Sequence, residues 1–133
     1  MRVYSDRVIL IYYFEGAPSF KARAPACRGA LWTAGDTLAV SDLVRLECRM
    51  LPIRLSDAVR LGDYDNLFTQ PNVTCVPITT AVFDRATVIR ATHNFKTVDA
   101  LHLAAAVEAG CDRFLTNDNR LSAFTAIPVE VLP

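Results

Sequence analysis

Five short extended runs, set between longer stretches of helical pattern, constrain this chain more than any other feature. The runs are Val3-Tyr4-Ser5-Asp6, Thr37-Leu38-Ala39-Val40, Val73-Thr74-Cys75-Val76, Arg113-Phe114-Leu115-Thr116 and Val129-Glu130-Val131-Leu132. The intervening patterns predict helices near residues 8–14, 19–34, 42–51, 56–69, 80–93 and 98–109. Pro25 is expected to kink or divide the second helix, and Pro52 to end the third. Ser41-Asp42, Ser56-Asp57 and Thr97 before Val98-Asp99 read as helix N-termini, and Gly110 reads as a C-terminal stop. Strands and helices that alternate in this way pack as a mostly parallel sheet covered on both faces, a three-layer α/β/α fold.

With 133 residues and 52% hydrophobic content, the chain suits a single domain over residues 1–133 with a core that needs no staples. The longest apolar run, Val8 to Phe14, is far short of a membrane span, and no signal-like segment is evident. The expectation is a soluble, cytoplasmic protein with no membrane partner. Cys27, Cys48, Cys75 and Cys111 form no C-x-x-C pair and no cluster with histidine. They read as buried, reduced thiols rather than zinc ligands. Net charge is zero, so charge alone makes no case for nucleic acid. The halves differ modestly: residues 1–60 carry nine Lys/Arg and six Asp/Glu, and residues 61–133 carry five and eight.

Four acids fall where strands end or helices begin. Asp6 closes the first run, Asp118 follows the fourth, Asp99 opens the helix at 98, and Glu47 lies one and a half turns into the helix after the second run. Ligands of open parallel sheets bind beyond the carboxyl ends of the strands, at a topological switch point. Carboxylates gathered there repel one another unless a cation intervenes, and hard oxygen donors suit Mg²⁺ or Mn²⁺. Each acid also has a plainer reading. Asp99 and Asp118 fit helix-start and turn positions, and Glu47 fits a solvent-facing partner of Arg45 or Arg49. Asp6 is the hardest to dismiss, because a central strand rarely ends on an unpaired acid.

Tyr4-Ser5-Asp6, Ala39-Val40-Ser41 with Glu47, the block Thr97-Val98-Asp99-Ala100-Leu101-His102-Leu103-Ala104-Ala105-Ala106, and Phe114-Leu115-Thr116-Asn117-Asp118 resemble the signature of PIN-domain ribonucleases. Length and element order make the chain most similar to VapC-like toxins of type II toxin–antitoxin pairs. The resemblance implies a five-stranded parallel sheet in the order 3-2-1-4-5 and a metal-dependent endoribonuclease. Residues matching Asp6, Glu47, Asp99 and Asp118 would hold Mg²⁺ or Mn²⁺, which activates water and offsets charge on phosphorus. Asp6 and Asp99 suit direct ligation, while Glu47 and Asp118 suit action through water or as proton acceptors. Thr116 would donate to a carboxylate or a water, and Asn117 would fix the turn presenting Asp118. The resemblance also implies a homodimer, a small VapB-like antitoxin, and an RNA substrate such as tRNA or another structured RNA.

Among secondary residues, Arg45, Arg49 and Lys96 are candidates to line a groove for the RNA backbone. His102, three positions after Asp99, shares its helix face and suits either a supporting or a packing role. His93, near a helix end, reads as a partner of the dipole there. Tyr12, Tyr13 and Phe14 read as core or subunit contact. Arg7 departs from the family pattern, which carries a small hydroxyl residue there, and Ser5 replaces a bulky apolar residue. Arg7 is expected either to pair with Asp6 or Asp99 and weaken metal binding, or to contact RNA phosphate. These departures sustain an alternative, a catalytically weak or inactive PIN-like module that binds RNA or protein. A haloacid-dehalogenase-type phosphatase would want Asp-x-Asp, but Val8 holds the second place, and no P-loop segment occurs.

Overall fold

A computed structural model describes residues 1–15, with the side chains of residues 1–11, and residues 35–132. The predicted helix at 19–34, with Pro25 and Cys27, lies outside the described residues, as do the side chains of Tyr12, Tyr13 and Phe14. The strands are β1 (Arg2–Ser5), β2 (Thr37–Ser41), β3 (Val73–Val76), β4 (Arg113–Thr116) and β5 (Val129–Val131). They form one sheet in the order β3-β2-β1-β4-β5, and every pairing is parallel. Helices α1 (Arg7–Glu15), α2 (Asp42–Arg54), α3 (Ala58–Phe68), α4 (Thr80–His93) and α5 (Thr97–Glu108) flank it, and a short 3₁₀ turn spans Asn119–Ala123. This is the three-layer α/β/α architecture that the alternating pattern predicts.

The central strands are buried as a parallel sheet requires: Val3, Tyr4, Ala39, Val40 and Phe114 are fully covered. Tyr4 pairs in register with Ala39 on one side and Phe114 on the other, and its ring stacks on Phe114 at 5.2 Å. Helix α5 packs on β2, β4 and α4, and Ala100 through Ala106 are all buried. Four alanines in that stretch keep the backbone close to its neighbours, which carries Asp99 at its start toward the strand ends.

Several boundaries differ from expectation. Helix α2 runs through Pro52 to Arg54 instead of ending there. Val44, Cys48 and Pro52 follow one another at four-residue steps on its buried stripe, so the proline ring is part of the core. Pro52 lies near the helix end and removes one hydrogen bond, and its own carbonyl accepts the Asp57 N–H at 2.8 Å. Helix α3 is capped by Asp57, whose side chain accepts the Arg60 N–H, while Ser56 takes a left-handed backbone with φ of 53°. Helix α5 begins at Thr97 with Lys96 in the cap position, so Thr97 is not the cap. Ser41 stands before α2, but its side chain makes no cap bond. Gly110, at φ of 68°, follows the end of α5 as expected. Cys48 is buried, whereas Cys75, on edge strand β3, is exposed and its thiol lies 3.4 Å from Asp42 Oδ1. No described helix is long and apolar enough to cross a membrane.

Candidate acidic functional site

Strand β1 stops one residue before Asp6, whose N–H still continues the ladder to Leu115 of β4. The Asp6 side chain then serves the next element. Its Oδ1 accepts the N–H groups of Val8 and Ile9 at 3.1 and 3.4 Å, capping α1. Its Oδ2 accepts the Thr116 hydroxyl at 2.7 Å, which ties the ends of β1 and β4 together. Thr116 is fully buried and also accepts the Asp118 N–H at 3.1 Å, fixing the turn in which Asp118 stands. Burial raises the Asp6 carboxyl above its ordinary value; Thr116, His102 and the two backbone donors pull it back only in part.

Asp118 begins the 3₁₀ turn and accepts the Arg120 N–H at 3.0 Å. The Arg120 guanidinium lies along both of its carboxylate oxygens, with Nε at 3.1 and 3.2 Å. That bond holds the Asp118 carboxyl below the usual range. The same guanidinium reaches Asp99 Oδ2 at 3.6 Å. Asp99 nonetheless stands above its ordinary value, raised first by burial and then by the Asp118 charge, against the pull of Arg120, His102 and Lys96.

Glu47 projects from α2 toward the same place. Its Oε1 lies 2.7 Å from His102 Nε2, and its Oε2 lies 3.2 Å from Arg7 Nε. Arg7 therefore turns into the site, but its partner is Glu47 and not Asp6 or Asp99. Arg45 and Arg49 do not pair with Glu47. Arg45 sits 4.0 Å from Asp42 and over the Phe68 ring, and Arg49 binds Asp65 at 2.8 Å.

Asp6, Glu47, Asp99 and Asp118 thus line one cleft of about 420 Å³, together with Arg7, Lys96, His102, Asn117 and Arg120. Arg45 and Arg49 line a hollow along α2, and Lys96 lines the acidic cleft. Sequence reasoning left His102 between two roles and missed Arg120. Arg120 follows Asp118 by two residues, and only the tight 3₁₀ turn folds its side chain back over the carboxylates. The donor chemistry of the cleft is four carboxylates from four elements, which suits a hard divalent cation. Among the described residues, no three acid, histidine or cysteine side chains stand close enough to hold an ion as they are placed. Arg7 and Arg120 hold three of the four acids in ion pairs instead.

A parallel sheet ordered 3-2-1-4-5, with carboxylates gathered where β1 and β4 end, defines an α/β/α protein with an acidic cleft at its switch point. A model of the PIN domain matches residues 3–127, and the chain belongs to the PIN domain family. No curated protein matches its sequence significantly. Its structural neighbours include chains of VapBC structures and the toxin VapC20. One is from VapBC2 of Rickettsia felis, solved bound to a promoter DNA fragment (13% identity, 100% of each chain, TM-score 0.78). Another is from DNA-bound VapBC of Salmonella typhimurium (15% identity, 98% of each chain, TM-score 0.78). A third is VapC20 of Mycobacterium tuberculosis, described as a Sarcin-Ricin loop cleaving toxin (17% identity, 95% of this chain and 98% of that one, TM-score 0.71). At such identities the likeness shows the fold.

Proposed function

We propose that residues 1–133 work as a single PIN-like domain, a VapC-like toxin that cleaves RNA phosphodiester bonds with a divalent cation. The observation that carries this reading is the meeting of Asp6, Glu47, Asp99 and Asp118 in one cleft at the strand ends. Asp6 and Asp99 are the direct ligands; Glu47 and Asp118 act beside them. A bound Mg²⁺ or Mn²⁺ would supply Lewis-acid activation of water and offset charge on the scissile phosphate. The chain's own residues do the rest. Thr116 fixes the Asp6 carboxylate, Asn117 and the 3₁₀ turn present Asp118, and Lys96 at the rim offers a cation to the RNA backbone. A cytoplasmic homodimer restrained by a small VapB-like antitoxin completes the reading, and the VapBC complexes among the structural neighbours support the antitoxin. A structured RNA, such as tRNA, is the proposed substrate.

The test is cleavage of structured RNA by the purified chain with Mg²⁺, with Mn²⁺ and with EDTA. Cleavage only with the cations supports the reading, and cleavage that EDTA leaves intact overturns it.

One observation favours a second reading, a weak or inactive PIN-like module: two guanidinium groups neutralise three of the four acids. Arg7→Ser is expected to free Glu47 and lower the Mg²⁺ concentration for half-maximal cleavage several-fold. If that concentration stays unchanged while RNA binding weakens, Arg7 is a substrate contact. Arg120→Ala is expected to tighten Mn²⁺ binding several-fold by releasing Asp99 and Asp118, as calorimetry would show. Weaker Mn²⁺ binding in that variant would make Arg120 an organiser of the acids and not a competitor. RNA cleavage that stays absent in both variants would favour the binding module.

A further inference from the structure

Behind the acidic cleft runs a buried polar chain that the proposed reaction leaves unexplained. His102 is only 4% exposed, yet both its ring nitrogens are engaged. Nε2 lies 2.7 Å from Glu47 Oε1, and Nδ1 lies 2.7 Å from the Tyr4 hydroxyl. Tyr4 is fully buried, and its hydroxyl lies 2.8 Å from Ser41 Oγ, itself fully buried. The chain therefore joins β2, β1, α5 and α2 in sequence, and it ends on a carboxylate that faces the cleft. Ser41 gives up a helix cap to take part.

We infer that His102 is a positioning residue: held by Tyr4 and Ser41, it locks the Glu47 carboxylate in place with one oxygen committed and the other turned to the cleft. An ionised carboxylate only accepts hydrogen bonds, so toward such a group Nε2 is the donor of this contact. A buried polar group left without a partner is costly, so each member of the chain constrains the next. The Nδ1 contact orients the imidazole, and Tyr4 is itself held by its stack on Phe114. With Oε1 committed to His102, the other Glu47 oxygen, Oε2, meets Arg7. Glu47 acts beside the direct ligands, and outer partners that orient the groups around a metal commonly change its affinity by about 10–100-fold when removed.

The inference rests on the cleft being a cation site, and the experiment separates the two. Mn²⁺ affinity is measured by calorimetry on the full chain for wild type, His102→Leu, His102→Gln, Glu47→Gln, the Glu47→Gln/His102→Leu double variant and Asp99→Asn. Leucine fills the space but donates nothing, so His102→Leu should weaken Mn²⁺ binding about tenfold or more. Glutamine offers an amide N–H near the position of Nε2, and His102→Gln should recover most of that loss. The double variant should be no weaker than Glu47→Gln alone, because His102 acts through Glu47. Should His102→Leu fail to fold, Tyr4→Phe keeps the ring and removes only the hydroxyl, and it should weaken binding several-fold. Unchanged Mn²⁺ affinity in His102→Leu, or in Tyr4→Phe where that stands in for it, overturns the role of His102 provided Asp99→Asn is weakened. Losses that multiply in the double variant overturn it too. If Asp99→Asn also binds Mn²⁺ normally, the cation reading itself has failed and the inference falls with it.

Discussion

Asp99→Asn is expected to reduce cation-dependent RNA cleavage by about a thousandfold, since a correctly held cation is worth several kcal/mol to such a reaction. It is also expected to melt at a higher temperature than wild type in the absence of metal. The two effects share one cause. Folding buries Asp99 and sets it beside Asp118, and both raise its carboxyl above the ordinary value of 3.8. The folded state then holds that proton more tightly than the unfolded state does. This contribution to stability is complete below the unfolded value and is lost as pH rises through the raised folded value. Asparagine carries no charge to bury, so its advantage should be absent in acid and should emerge as pH climbs past the carboxylate range. Asp118 has the opposite sign: Arg120 lowers its carboxyl, and the stability it brings is lost as pH falls. Adding Mn²⁺ should raise the melting temperature of wild type far more than that of Asp99→Asn, because a cation that binds only the folded state stabilises it by mass action. Thermal scans across pH, with and without Mn²⁺, check all of this. Equal metal-dependent shifts in the two proteins would remove Asp99 from the ligand set.

The sheet was legible because each strand is a compact apolar run and each helix a longer one. In a parallel sheet both strand faces are buried, and Tyr4, Val40 and Phe114 announce that in their own segments. Asp6 and Asp118 were legible for the same reason, as acids placed where such strands end. What stayed hidden depends on partners far away in sequence. The link from His102 to Tyr4 spans 98 positions and the link to Glu47 spans 55, so nothing local to any of the three residues reports it. Ser41 looked like a helix cap because its sequence neighbours allow that role, but a buried tyrosine hydroxyl competes for it. Pro52 looked like a stop because the lost hydrogen bond is visible in the sequence, while the burial of its ring is visible only in the fold. Cys75 was expected inside with its apolar neighbours, yet β3 is an edge strand and leaves that side chain exposed.

Phe114→Ala should be the most damaging core substitution and should also loosen the site. Phe114 is fully buried at the centre of β4, with Tyr4 stacked on it at an interplanar angle of 10°. Truncating a buried phenylalanine costs about 3–5 kcal/mol through lost burial and the cavity left behind. For a chain of this length that corresponds to a fall in melting temperature on the order of 10–20 °C. The cavity opens directly against the Tyr4 ring, whose hydroxyl orients His102 and through it Glu47. Two residues after Phe114 on the same strand, Thr116 holds Asp6, so both halves of the acidic cleft lean on this position. Phe114→Leu keeps most of the volume and should recover much of the stability but not the aromatic stack. Denaturation midpoints measure the stability term, and Mn²⁺ affinity at a temperature where both variants are folded measures the effect on the site. Phe114→Leu is expected to bind Mn²⁺ less tightly than wild type even where it is fully folded. If its affinity equals that of wild type, Tyr4 is positioned without the stack, and Phe114 contributes to folding alone.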